Sequence, residues 1–233
     1  MNIIYVRKAE ERGHANHGWL DSWHTFSFAS YHDANFMGFS ALRVINEDVI
    51  DGGQGFGTHP HKDMEILTYV LSGTVEHQDS MGNKEQIPAG EFQIMSAGTG
   101  VRHSEYNASE SDPLHLYQIW IIPERTGIEP RYDQRRFPDI KGRQLVLSPD
   151  AREGSLKVYQ DMTLSRWVLA AGEQDSVAID AGRRIWIQVV KGNVTVNGNA
   201  ITTSDALAIW DESALTIEAS SAAEVLLFDL PPV

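Results

Sequence analysis

The chain has 233 residues, 42% of them hydrophobic, with nineteen Lys or Arg against thirty-two Asp or Glu and a net charge of −13. That length suits one large domain or two of roughly 100–120 residues, and the acidic balance excludes direct nucleic-acid binding, which needs a basic face against the phosphates. No cysteine is present, so disulfides, thiolate metal ligands and a cysteine nucleophile are excluded too.

The N-terminus carries an apolar run of only four residues, Ile3 to Val6, too short for the core of a secretory leader. No segment approaches the ~20 apolar residues of a membrane span. A soluble, cytoplasmic protein without a membrane partner is the expectation. The first region is rich in Trp19, Trp23, Phe26 and Phe28, and its histidines (His14, His17, His24 and His32) read as packing and hydrogen-bonding groups. Residues 41–46 and 66–71 are dense in β-formers. Alternation over 114–122 puts Leu114, Leu116, Gln118, Trp120 and Ile122 on one face. Between Pro123 and Gly142 the chain is polar and broken by prolines. Its basic cluster, Arg131 to Arg136, reads as linker or interface. This predicts an N-terminal domain over 1–130 and a C-terminal one over 131–233. In the latter, Asn197-Gly198 between two β-branched runs is a hairpin signal. Many short strands and few helical patterns predict an all-β protein of sandwich or small-barrel domains. Residues 67–76 and 186–195 form a weak internal repeat. All nine histidines fall within the first 115 residues, which assigns the chemistry to the first domain.

His59-Pro60-His61 and His103-Ser104-Glu105 look like the arms of one metal site. Side chains two apart on a strand share a face. Each pair can therefore reach one ion, and two neighbouring strands can close three imidazoles and a carboxylate around it. Nitrogen and oxygen donors with positions left open mark a catalytic site more often than a structural one. Glycine-rich approaches, Gly52 to Gly57 and Ala97 to Gly100, precede both pairs. His77 and His115 lie on predicted strands of the same half and are candidates to face a cavity. Phe39, Phe56 and Tyr106 are candidates to line it for a flat ligand. Lys62 and Asp63 are candidates to hold ligating rings from behind. Gly53-x-Gly55-x-Gly57 lacks the following helix that phosphate binding requires.

Gly53-x5-His59-x-His61-x3-Glu65, followed by Gly73, resembles the first cupin motif, and Gly82-x5-Pro88-x-Gly90 with His103-x3-Asn107 resembles a stretched second one. His-Pro-His combined with Gly-Thr-Gly-Val-Arg-His-Ser-Glu, and the opening from Arg12 to Phe28, resemble the pirin family of bicupins, in particular its bacterial pirin-like quercetin 2,3-dioxygenases, over nearly the whole chain. The resemblance implies two cupin-type jelly-roll barrels, with a metal site in the N-terminal one only. It implies His59, His61, His103 and Glu105 as the metal ligands, with Glu105 also the catalytic base. Glu65 matches a ligand position of many cupins, yet it stands one residue too far from Gly73, and the pirin carboxylate comes from the second motif. Fe(II) is the implied ion, with Mn, Co, Ni, Cu or Zn as alternatives. The implied reaction is cleavage of the heterocyclic ring of quercetin-like flavonols by O2 with release of carbon monoxide. Pirins with transcriptional partners imply an alternative, a metal-containing, redox-sensitive regulatory protein acting through a protein partner. A non-oxidative cupin isomerase is a third.

Overall fold

The computed structural model describes residues 3–138 and 140–232. Among them every regular element is a strand, apart from two single-turn 3-10 segments at Ala9–Glu11 and Arg152–Gly154. The all-β expectation holds. No helix among the described residues is long and apolar enough to cross a membrane. The first ten strands are β1 (Ile3–Arg7), β2 (Gly13–Asn16), β3 (Leu20–His24), β4 (Leu42–Ile50), β5 (Gly55–Ser72), β6 (Thr74–Asp79), β7 (Lys84–Pro88), β8 (Glu91–Asn107), β9 (Leu114–Ile121) and β10 (Arg131–Arg136).

The chain packs into two compact units. One comprises Gly13–Phe137 with Val158–Gln160; the other takes the described residues up to Arg12, Pro138–Lys157 and those from Asp161 onward. Relative to the expected division at 130/131, two strands are reassigned. The basic cluster is a strand, not a linker: β10 pairs with β8 from Arg131↔Ser96 to Arg136↔Glu91, and its Tyr132 ring lies 4.8 Å from that of His77. At the start of the chain, β1 pairs with Ala206–Trp210 and so belongs to the second unit.

In the first unit the sheet order is β2-β3-β4-β9-β5-β8-β6-β7, with β10 added along β8. Two apolar clusters form part of its core. Leu20, Ile50, Val70, Val75, Ile87, Leu114 and Leu116 form one; Ile66, Met95, Ala97 and Val101 form the other, with Met64 and Trp120 against it. Burying one such aliphatic side chain is worth about 1.5–3 kcal/mol, and these clusters hold rigid the strands that carry the histidines. The predicted face of β9 is divided in use. Leu114 and Leu116 enter the first cluster, Gln118 and Trp120 line a cavity, and Ile122 falls beyond the strand with 42% exposure.

The second unit holds a seven-stranded sheet that includes β1, and a four-stranded sheet around Asn193–Val196 and Asn199–Thr202. The predicted hairpin is present: Val196 pairs with Asn199, and Asn197 and Gly198 both take positive φ, 44° and 80°, as a two-residue turn of this kind requires. Trp167, Ile187, Val225 and Leu227 are among the residues of its core.

Candidate metal centre

The two predicted ligand pairs meet because β5 and β8 run antiparallel with two irregularities. His59 pairs with His103 and Phe56 with Glu105. Three steps on β5 therefore face two on β8, so β5 carries one extra residue between Phe56 and His59. A single inserted residue reverses the alternation of a strand. As a result Phe56, His59 and His61 all line one cavity. Gly55 permits the close approach, since a Cβ there would meet the Glu105 carbonyl oxygen at 2.3 Å. A second irregularity follows, where His61↔Val101 gives way to Asp63↔Gly98. Gly98 has φ +47°, and a Cβ there would meet the Ile128 carbonyl oxygen at 2.1 Å. Gly98→Ala is therefore expected to destabilise the protein by ~2 kcal/mol or more and to lower the thermal midpoint by several degrees, measurable by calorimetry.

The structure brings three of the four expected ligands into one cluster. Donor atoms of His59, His61 and His103 all lie within 4.8 Å of one another. The Gly57 carbonyl oxygen, 2.8 Å from His59 Nδ1, accepts the proton of that nitrogen and turns the lone pair of Nε2 inward. His59 Nε2 then lies 3.0 Å from His103 Nε2. Two nitrogens each ~2.1 Å from one ion and at a right angle would be ~3.0 Å apart, so the pair fits a shared cation. Three imidazoles also suit a first-row divalent metal by donor type.

Glu105 stands one step back, grouping with His77 and His103 within 4.8 Å. Its buried carboxylate accepts from Gln118 Nε2 at 2.8 Å and from Thr68 Oγ1 at 3.3 Å. Burial pushes the carboxyl upward, but His103 and His77, the Gln118 amide and His59 outweigh it, and Glu105 is held below the usual range. Burial, with His103 and His59 alongside, pushes His61 down to about 4; burial likewise lowers His103. Neutral imidazoles are the form that binds metal.

A pH dependence follows. An unperturbed histidine titrates near ~6.5, so between about 4 and ~6.5 the unfolded chain binds more protons at position 61 than the folded one. The stability due to neutral His61 is full above ~6.5 and is lost as pH falls toward about 4. The hold of His61 on a bound metal should likewise persist below ~6.5 and be lost toward about 4. Elemental analysis after dialysis across that interval checks this.

The remaining candidates separate cleanly. His77 is fully buried, with Nε2 3.1 Å from Asp79 Oδ2 and its ring 5.3 Å from that of His103. His115 pairs with Glu47 at 3.1 Å and does not line the cavity. Asp63 accepts from the Gly127 N–H, so the group behind His59 is a backbone carbonyl and not a neighbouring acid. Glu65 accepts from the Tyr159 N–H at 3.2 Å and belongs to neither donor cluster; burial pushes its carboxyl up, against Ser96, Tyr159 and Arg131.

The cavity has a volume of 410 Å³ and reaches His59, His61 and Glu105. Phe28, Phe56 and Trp120 supply aromatic walls, and the His61 ring meets Trp120 edge-on at 5.0 Å. Phe56 is there as expected; Phe39 and Tyr106 are not among the lining residues. A second depression of 630 Å³, on the four-stranded sheet of the other unit, includes no member of either donor cluster.

The wall also holds polar residues that the sequence did not assign to it: His17, Ser22, His24, Ser30, Asn46 and Asp48. Ser22 Oγ donates to Asp48 Oδ1 and lies 2.9 Å from His24 Nε2. Burial pushes Asp48 up to about 7, against the Ser22 hydroxyl. Polar residues two apart, Ser22-x-His24 and Asn46-x-Asp48, on otherwise apolar strands were the available signal.

Comparison with known proteins places this arrangement. Residues 5–121 match the family model described as Pirin, and residues 145–230 match that of the quercetinase C-terminal cupin domain. The fold and site thus define a bicupin whose three-histidine cluster lies in the first cupin unit. The chain belongs to the pirin family. A quercetin 2,3-dioxygenase from Escherichia coli (strain K12) is 76% identical over 99% of this chain and all of its own length. A pirin-like protein from Caulobacter vibrioides is 41% identical over 97% of this chain and 99% of its own. The crystal structure of the bacterial pirin YhhW from Escherichia coli in complex with nickel(II) superposes with a TM-score of 0.97 at 76% identity, covering 99% of this chain and 100% of that one. A quercetin 2,3-dioxygenase from Acinetobacter baumannii, 19% identical, shares the fold with a TM-score of 0.81 over all of this chain and 88% of its own.

Proposed function

We propose that this protein is a metal-dependent dioxygenase that opens the heterocyclic ring of quercetin-like flavonols with O2 and releases carbon monoxide. The observation that carries the reading is a convergent three-imidazole cluster beside a buried carboxylate, opening into an aromatic-walled cavity. The activity named for the 76% identical Escherichia coli relative supports it. His59, His61, His103 and Glu105 are the ligands in this reading. Fe(II) is the resident ion implied by the family resemblance, and nickel(II), held by the Escherichia coli pirin, is the first alternative.

When bound, the ion supplies a Lewis acid that acidifies a hydroxyl presented to it. The protein's own groups do the rest. Phe28, Phe56 and Trp120 stack a flat ring system and exclude water from it. Glu105, held below the usual carboxyl range and so ionised, takes the proton of the flavonol 3-hydroxyl on one of its Oε atoms. Gln118 Nε2 steadies its Oε2 and Thr68 Oγ1 its Oε1. Both atoms of O2 enter the phenolic ester product while one ring carbon leaves as carbon monoxide, so the overall equation balances without an external reductant.

Oxygen uptake, carbon monoxide release and loss of flavonol absorbance should rise together when the protein is loaded across a panel of divalent metals. Fully loaded protein that consumes no oxygen with any flavonol would overturn the proposal.

A further inference from the structure

The polar wall of the cavity is built on β3 and β4, away from the histidines. Asn46 pairs across to Gln118 on β9, and Gln118 in turn pairs with Thr68 on β5. Asn46 therefore stands two strands from the strand that carries His59 and His61, a separation of ~10 Å. Two residues on, Asp48 shares its face. Both are 3% exposed, and both line the cavity.

This wall presents open acceptors to the cavity. Asn46 Oδ1 is buried with no hydrogen-bond partner. Asp48 receives the Ser22 hydroxyl on Oδ1, and among the described residues nothing donates to Oδ2. A buried acceptor left unmatched costs about 1–3 kcal/mol, and with the second Asp48 oxygen beside it also open on the cavity wall, this surface calls for a ligand that brings donors. No Lys or Arg lines the cavity, and Asp48 and Glu105 are both acidic, which disfavours an anionic ligand. A neutral phenolic hydroxyl meets these requirements: it donates, it is uncharged, and its ring suits the aromatic walls.

We propose that Asn46 and Asp48, with Ser22 holding Asp48 in place, form a hydroxyl-binding subsite that selects substrates bearing a free phenolic hydroxyl on the ring remote from the metal-binding oxygens. This deepens the dioxygenase reading and rests on it. Asn46 and Asp48 contact substrate in this assignment; Ser22 is a positioning residue acting through Asp48. A methoxyl in place of the hydroxyl can accept but cannot donate, and so is discriminated against.

The test uses metal-loaded protein and three flavonols whose pendant ring carries a hydroxyl, a methoxyl or neither. The parent should favour the hydroxylated compound in kcat/KM by ~3–10-fold, the range for a single hydrogen bond, with the difference mainly in KM. Asp48→Asn, which keeps an oxygen for Ser22 but turns the second acceptor into a donor, should collapse that ratio and improve the relative use of the methoxyl compound. Asn46→Leu should also flatten the ratio, and as it removes an unpartnered polar atom it should not cost stability. Ser22→Ala should weaken the preference less than Asp48→Asn. Metal content is measured in every variant, to separate loss of selectivity from loss of metal. If flavonols are turned over and the ratio is the same in parent and variants, the subsite is refuted while the dioxygenase reading stands. If no flavonol is turned over, that reading fails, and quenching of tryptophan fluorescence by the same compounds decides the subsite: a hydroxyl preference in Kd that Asp48→Asn and Asn46→Leu each abolish supports it, and an equal preference in all proteins refutes it.

Discussion

Replacing His103 with alanine should strip the metal and abolish oxygen uptake while leaving the fold in place. His103 is the one imidazole common to both donor clusters, its Nε2 lies 3.0 Å from that of His59, and it is 2% exposed. Losing a group that merely supports a ligand costs ~10–100-fold in affinity, so losing a ligand should exceed ~100-fold. The imidazole is neutral in the fold, and its Nδ1 has no hydrogen-bond partner, so truncation leaves no uncompensated charge. The metal-free variant should melt within a few degrees of the metal-free parent, since each kcal/mol shifts the midpoint of a chain this size by ~2–4 °C. His77→Ala provides the counterpart, because it disrupts only the His77, His103 and Glu105 cluster. Metal content near the parent level is expected there. If His77→Ala lost the metal and His61→Ala kept it, the ion would belong to the deeper cluster instead.

The second large effect is expected from Glu105→Gln, with activity falling far more than metal occupancy. The carboxamide is nearly isosteric, and its oxygen can still accept from Gln118 Nε2, as the carboxylate does now. Its new N–H can donate to Thr68 Oγ1, where at present the hydroxyl donates to Glu105. Nothing is left unsatisfied, so the local structure should hold. What disappears is the site that receives the proton, and general-base contributions run to about 10²–10⁴-fold in rate. Elemental analysis and oxygen uptake on the same preparation check the split. Equal losses of metal and rate would reduce Glu105 to a ligand alone.

Much of this was legible in the residues. Two His-x-His and His-x-Glu pairs on β-rich segments were enough to propose one ion, since alternation by two is the most dependable rule of a strand. The bulge that makes the rule work was marked only indirectly, by the glycines from Gly52 to Gly57. Glu105 was harder to place, because its position is set by Gln118 and Thr68, contributed by two other strands. His24 illustrates the opposite difficulty. Surrounded in sequence by Trp23, Phe26 and Phe28, it reads as a packing residue, whereas its pairing with Asn46 sets it on a cavity wall. Such pairings are long-range, and local pattern carries no information about them. The basic cluster of β10 was hidden for a similar reason, as its strand character comes from the length of β8 left for it to pair with.

The exchange of the first strand bears on how the protein is made. Lys8 and Asp205, which join at 2.9 Å, are 197 positions apart, so the leading segment leaves the ribosome long before its partner strand exists. At ~5–20 residues per second that wait is ~10–40 s, during which a β-prone peptide must stay unclaimed by the lobe growing behind it. Proteolysis at a single point would likewise yield no pair of intact lobes: a nick after β10 would leave the trailing piece missing an edge strand and the leading piece carrying a spare one.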